Sequence, residues 1–120
     1  MFEHSIICDK ITVTTMAMVN FFESKIVMTI YLHRAGFVVL ENNGKPLYQG
    51  PRESVMAHIR QIMSELNRLG NKEVVFTILN YSTDPMQAGM DRGYFKTHLA
   101  TLASGSTCTI RVNAGMDTKA

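Results

Sequence analysis

The length and composition of the chain predict one folded domain spanning residues 1–120. Its 120 residues are 46% apolar and 18% charged, which excludes a disordered chain and allows a core without disulfides or a structural metal. The net charge of +2 is too small to indicate a polyanion as the main partner. Cys8 and Cys108 lie far apart and outside any zinc-ligand spacing, so we expect reduced thiols, no metal and no cofactor.

The sequence has no pattern typical of membrane insertion or secretion. No apolar run reaches the roughly 18 residues that a membrane span requires, because charged residues interrupt every long run. The first segment, MFEHSIICDKITVTT, lacks the basic-then-apolar order of a secretory signal. We therefore expect a cytoplasmic protein with no membrane contact, whose natural start is Met1, Met16 or Met18.

Two segments in the first third of the chain have the composition of β-strands. Residues 5 to 15 are rich in β-branched side chains but alternate imperfectly, so residues 1 to 15 form either an extra strand or a poorly ordered extension. Residues 25 to 33, KIVMTIYLH, are almost continuously apolar. That pattern is typical of a strand buried on both faces in the middle of a sheet.

A hairpin is predicted directly after this strand. The segment FVVLEN at 37 to 42 precedes Asn43-Gly44, a pair favoured in type I′ hairpin turns. The short segment KPLYQG follows, in which Pro46 suits an edge strand. Residues 25 to 50 are therefore predicted to form a three-stranded antiparallel meander.

Residues 51 to 69 show the clearest helical pattern in the chain. Pro51 suits the first turn, and Gly70 suits the left-handed residue that ends a helix. The apolar residues at helical spacing are Val55, Met56, Ile59, Ile62, Met63, Leu66 and Leu69. We expect this stripe to pack on the sheet, and EVVFTILNY at 73 to 81 to form another buried strand.

A second helix is predicted from Pro85 to about Ala103, capped by Thr83 or Asp84. The residues available for packing along it are Met86, Met90, Phe95, Leu99 and Leu102.

Two glycines weaken the first half of this second helix. Gly89 and Gly93 each cost roughly 1 kcal/mol relative to Ala, so we expect that half to be irregular or mobile. A last strand, TCTIRVN at 107 to 113, precedes a tail at 114 to 120 that we expect to be disordered. The predicted fold class is α+β, with the meander followed by helix, strand, helix and strand, and with the helices packed on a mixed sheet.

This order of elements resembles the ribonuclease H-like fold. The segment GFVVLENNGKPLYQG resembles that family's second and third strands around a short turn. The run ESVMAHIRQIMSELNRLGNKEVVFTILNYSTDPMQAGM resembles its first helix, fourth strand and the start of the next helix. The resemblance covers about residues 26 to 112 and is an analogy of fold.

The resemblance implies a cluster of catalytic carboxylates that this sequence does not match. Catalysis of that type needs about four carboxylates to hold two divalent ions. The matching positions hold Tyr31, Leu32 or His33 in the first strand, Glu53 or Ser54 in the first helix, and Asn80 or Asp84 after the fourth strand. At most two carboxylates remain, so we expect no two-metal nuclease and no catalytic centre.

Polar residues after the 73 to 81 strand are candidates for ligand binding. They lie at the carboxyl end of a buried strand, where open sheets commonly bind ligands. The candidates are Asn80, Asp84, Asp91, Arg92, Tyr94, Lys96 and His98. The chain contains neither G-x-G-x-x-G nor G-K-[ST], so nothing in the sequence indicates a known phosphate-binding motif.

A modest basic surface is the second candidate site. Its residues are His33, Arg34, Arg52, Arg60 and Arg68, and a simple solvated face is the alternative interpretation. Ser54 and His58 are only an i, i+4 helix pair and match no nucleophile motif.

These observations predict a small non-catalytic cytoplasmic protein that acts by binding or regulation. We expect protein–protein association, with a homo-oligomer such as a dimer covering an exposed sheet edge or apolar surface, and nucleic-acid contact as the less favoured mode. The alternative is a protein that binds a nucleotide-like small molecule, or a weak hydrolase, with its pocket at residues 80 to 98.

Overall fold

A computed structural model of the chain describes residues 23–33 and 36–114. The strand predicted at residues 5 to 15, Arg34, and residues 115 to 120 of the predicted tail lie outside these residues.

The described residues form five strands and two helices in the predicted order. They are β1 (Lys25–Leu32), β2 (Phe37–Asn42), β3 (Lys45–Pro51), α1 (Arg52–Leu69), β4 (Glu73–Asn80), α2 (Pro85–Ser104) and β5 (Thr109–Asn113). The prediction of an α+β domain with helices packed on a mixed sheet is confirmed.

β1 lies at the centre of the sheet, as predicted, and the strand order is β3-β2-β1-β4-β5. β1, β2 and β3 form the antiparallel meander. β1 also pairs parallel with β4, which pairs parallel with β5. Because Leu32 is in register with Asn80, β1 and β4 end together at one edge of the sheet.

The β2–β3 hairpin has the predicted turn. Asn43 and Gly44 have φ angles of 52° and 82°, the two positive values that a type I′ turn requires. The ladder shifts register between Leu40 and Glu41, so the hairpin contains a bulge. Pro46 lies on β3, at the edge of the sheet.

The apolar stripe of α1 packs on the sheet as predicted. Its buried residues are Val55, Met56, Ile59, Ile62, Met63 and Leu66. Leu69, at the end of the stripe, is 54% exposed instead. Gly70 has a positive φ of 114°, but its ψ of −155° is extended, so the predicted left-handed helical ending was wrong.

α2 differs from the prediction in two respects. It is helical without interruption through Gly89 and Gly93, so the expected irregular first half is absent. Met86 and Met90, which the sequence pattern made available for packing, are 76% and 54% exposed. Asp91 is buried on the packed side of the helix instead.

The core lies on one face of the sheet, under both helices. In β1 and β4, alternate residues are buried and the residues between them are half-buried. The buried set, which includes Ile30 and Ile78, forms a single cluster with α1 and with Phe95 and Leu99 of α2. The expectation that β1 is buried on both faces was therefore wrong, because both helices cover the same side. The opposite side is called the open face below.

Over the described residues, neither helix contains a stretch that is long and apolar enough to cross a bilayer.

Candidate functional site

The polar residues after β4 form a hydrogen-bonded turn that starts α2. Asn80 is buried, and its Oδ1 accepts a hydrogen bond from the Ser82 backbone N–H over 2.8 Å. Ser82 Oγ accepts from the Asp84 N–H over 3.1 Å. Asp84 Oδ1 accepts from the N–H groups of Met86 and Gln87 over 3.1 and 3.3 Å, which makes Asp84 the N-cap of α2. Asn80 and Asp84, two of the predicted ligand-binding residues, thus have clear structural roles.

Asp91 connects the two helices. Its Oδ1 accepts hydrogen bonds from Arg52 Nη1 over 3.1 Å and from Gln87 Nε2 over 3.0 Å. The guanidinium carbon of Arg52 also lies 4.6 Å from the centre of the Tyr94 ring. Hydrogen bonds to Glu53 and then to Asp91 raise the pKa of Arg52. The structure therefore joins Arg52 of the predicted basic surface to two predicted ligand-binding residues.

A shallow groove of about 220 Å³ lies between the same two helices, further along them than the contact between Arg52 and Asp91. His98 Nδ1 lies 3.1 Å from Arg60 Nη2, and the His98 ring centre is 4.2 Å from that of Tyr94. The lining residues are Arg60, Asn67, His98, Thr101, Leu102 and Gly105.

The remaining predicted site residues do not join this groove. Arg92 is half-buried and Lys96 is exposed on α2. Arg68 forms an ion pair with Glu65 one helical turn earlier. His33 lies on the opposite side of the sheet, on the open face. The predicted basic surface is therefore divided between different parts of the described molecule.

A second depression, of about 330 Å³, lies on the open face and is called the aromatic pocket here. It is lined by Tyr31, His33, Val39, Glu41 and Tyr81. The rings of Tyr31 and Tyr81 have centres 5.4 Å apart, and His33 stacks on Tyr81 at 6.0 Å with 16° between the ring planes.

Strand pairing explains why these residues meet. Tyr31 points to the open face because Ile30 and Leu32, its neighbours in β1, are buried in the core. It is in register with Val39 of β2. The Tyr81 N–H donates to the Leu32 carbonyl over 2.8 Å, which extends the parallel β1–β4 pairing by one residue.

The rim of the aromatic pocket contains two exposed aromatic side chains. Phe37 is 40% exposed and Tyr81 is 44% exposed. The His33 N–H donates to the Phe37 carbonyl over 2.8 Å, and the two rings have centres 6.0 Å apart. This hydrogen bond holds the ends of β1 and β2 together and places four aromatic rings at one edge of the open face.

Glu41 brings a negative charge to the aromatic pocket. Partial burial, followed by the charge of Glu41 and a hydrogen bond to it, raises the pKa of Tyr31. The Tyr31 hydroxyl is therefore protonated at neutral pH. In the described part of the chain, no arginine, lysine or histidine forms an ion pair with Glu41.

The predicted ligand-binding residues and the aromatic pocket adjoin the same edge of the sheet, where β1 and β4 end, but lie on opposite sides of it. The candidates at residues 80 to 98 lie mainly on α2, whereas the aromatic pocket is on the open face. Of its lining residues, His33 was included only as part of a basic surface, and the other four were missed. The sequence offered one signal for these residues. Tyr31 in β1 and Val39 and Glu41 in β2 hold the alternate strand positions that face the open side of the sheet.

No metal centre is apparent among residues 23–33 and 36–114, where no three His, Cys, Asp or Glu side chains are grouped as ligands. Comparisons with models of known protein families, with curated proteins and with solved structures gave no match.

Proposed function

We propose that the protein is a non-catalytic binding protein that associates with another protein through the open face of its sheet. The observation that carries this proposal is the aromatic pocket with its exposed rim residues, Phe37 and Tyr81. Exposed aromatic side chains around a depression are typical of the energetically dominant parts of protein interfaces. A second copy of the chain is the simplest partner, since it would cover the same surface on both subunits.

The proposal includes a ribonuclease H-like fold without hydrolysis. The element order on which the resemblance rests is present in the structure. On this resemblance, Tyr31, Leu32 and His33 would occupy the positions of the family's first carboxylate. Asp84 is engaged as a helix cap. These features support a fold of that type that has lost its ion-binding centre.

We further propose a cytoplasmic location, because Cys108 is a buried free thiol, a state typical of reducing compartments.

Protein association is favoured over nucleic-acid binding by the ion pairs of Arg52 and Arg68. Arg52 is paired with Glu53 and Asp91, and Arg68 with Glu65, so their charges are compensated within the chain. If a nucleic acid does bind, the logarithm of its affinity must fall steeply with the logarithm of salt concentration. A flat salt dependence would instead match an interface dominated by aromatic contacts.

The test uses Phe37→Asp and Tyr81→Asp on the open face, with Met86→Asp on exposed α2 as the matched control. Sedimentation velocity measures self-association, and calorimetry measures binding to any captured protein after it has been purified. We expect the open-face variants to weaken association at least about tenfold, while Met86→Asp matches the wild type. Equal association by all four proteins, or no association by the wild type in either measurement, would overturn the proposal.

The groove between α1 and α2 supports a second candidate function, binding of a small nucleotide-like molecule. Arg60 and His98, 3.1 Å apart, offer hydrogen-bond donors beside the Tyr94 ring. Nucleotides that bind there must raise the melting temperature of the wild type and not that of Arg60→Gln. An unchanged melting temperature across common nucleotides would exclude this candidate.

A further inference from the structure

The aromatic pocket combines ring faces with a carboxylate that forms an ion pair with no cation of residues 23–33 and 36–114. Tyr31, His33 and Tyr81 line it, and Glu41 is the one carboxylate among its lining residues. The faces of the two tyrosine rings carry partial negative charge, so Tyr31, Tyr81 and the Glu41 carboxylate contribute the same sign.

We infer that the aromatic pocket receives the side chain of a lysine or arginine presented by the partner protein. The inference rests on the proposed function, because the open face must first be the binding surface. Charge complementarity selects the occupant: a cation is attracted both to the ring faces and to Glu41. An acidic side chain would be repelled by the same groups.

The arrangement of the rings suits a cation at the end of a long side chain. Tyr31 and Tyr81 are inclined by 35° with centres 5.4 Å apart, so they form two neighbouring walls. His33 stacks on Tyr81, with 16° between the ring planes, and also lines the pocket. A side chain entering from solvent would lay its alkyl portion along Val39 and the rings while its charge reaches Glu41.

Strand pairing, in which Glu41 lies opposite Thr29, places the carboxylate in the pocket lining before the partner arrives. The Glu41 carboxylate offers several lone pairs to a charged donor. Because the aromatic walls are already in place, binding orders few additional side chains, which reduces its entropic cost.

The test uses side-chain probes with the full-length protein. Nα-acetyl-lysine methylamide and Nα-acetyl-arginine methylamide are the cationic probes, and Nα-acetyl-norleucine methylamide is the uncharged control. Two-dimensional NMR of the tyrosine rings reports binding. We expect only the cationic probes to shift Tyr31 and Tyr81 in a saturable manner, while Tyr48 and Tyr94 remain unchanged.

Glu41→Gln and Tyr81→Leu test the two sources of attraction separately. Each variant should weaken probe binding about fivefold to tenfold, whereas Glu65→Gln, which removes the same charge from α1, should leave it unchanged. Circular dichroism and the unfolding midpoint verify that each variant is folded. Equal binding of the lysine and norleucine probes, or binding unaffected by Glu41→Gln, would overturn the inference.

Two further outcomes separate this inference from the proposed function. If Tyr81→Asp abolishes partner association while Glu41→Gln changes neither association nor probe binding, the open face is the interface but the pocket takes no cation. If probes bind only to an Arg34→Ala variant, the chain's own arginine occupies the pocket, and the inference is overturned while the interface is retained.

Discussion

Arg52, at the start of α1, donates a hydrogen bond to Asp91 of α2 across 3.1 Å, and Asp91 is completely buried. The two residues are separated by 39 positions in the sequence. Gln87 donates to the same oxygen, while the other oxygen, Oδ2, has no hydrogen-bond partner among the described residues. A buried carboxylate held in this way depends strongly on its cation.

Arg52→Met should therefore destabilise the fold by about 2 to 3 kcal/mol, somewhat less than for a fully isolated buried charge because Gln87 still donates. The double variant Arg52→Met/Asp91→Leu should be more stable than Arg52→Met alone, since it removes the unpaired charge. Urea unfolding measures both free energies. Arg60→Met, on the exposed side of α1, is the control and should change stability by less than about 0.5 kcal/mol. Strict additivity of the single substitutions would contradict this account.

Asn67 holds the turn between α2 and β5 against the end of α1. Its Oδ1 accepts from Ser106 Oγ over 2.5 Å and from the N–H groups of Thr107 and Cys108 over 3.2 and 3.3 Å. Asn67→Ala should cost about 1 to 3 kcal/mol, because these donors lose their acceptor. Asn67→Asp keeps the acceptor and should lose much less. Unfolding in urea compares the two, and equal losses would argue against the acceptor role.

His58 makes stability depend on pH. Its ring stacks on Tyr48 with centres 3.9 Å apart, and burial lowers its pKa below the ordinary value of 6.5. The unfolded chain therefore takes up a proton at His58 before the folded chain does as pH falls below about 6.5. The stability that neutral His58 contributes is fully present above about pH 6.5. It decreases as the pH falls toward the lowered pKa of His58 in the folded protein.

The measurement is the free energy of unfolding between pH 7.5 and 5 for the wild type and for His58→Phe. The phenyl ring can still stack on Tyr48 but cannot take up a proton. We expect a shallower decrease with acidification in His58→Phe. Identical pH profiles would show that protonation of His58 is not coupled to folding.

Two glycines should respond in opposite directions to the same substitution. An added Cβ at Gly93 meets no atom within 4 Å, and its backbone is helical, so Gly93→Ala should stabilise the protein by up to about 1 kcal/mol. Gly44 also has open space, but its φ is 82°. Gly44→Ala should therefore destabilise it by about 1 kcal/mol. Thermal unfolding measures both, and the same sign for both would contradict the backbone explanation.

Local pattern was sufficient to predict the elements and their order. The Asn43-Gly44 turn depends on φ angles that few residue types adopt, and the buried stripe of α1 depends on a period of 3.6 residues. Both are properties of a few neighbouring residues. The periodic pattern of α1 therefore predicted the helix to within a residue of its observed ends.

α2 shows where local pattern was insufficient. Glycines at 89 and 93 predicted an irregular helix, but the observed helix is unbroken. It packs Phe95 and Leu99 in the core and is capped by Asp84. The pattern also favoured burial of Met86 and Met90, and the structure buries Asp91 there. Only the position of Arg52 on the neighbouring helix provides the partner that compensates that charge.

By itself, the sequence determined the fold class, the meander, the two helices and the sheet edge at which a site was expected. The tertiary structure decided which side of that edge is open. The continuous apolar run of β1 predicted burial on both faces, yet both helices pack on the same side. Tyr31 and Tyr81 meet only because parallel pairing of β1 with β4 brings together residues 50 positions apart, and no local pattern specifies which distant segment will be the neighbour.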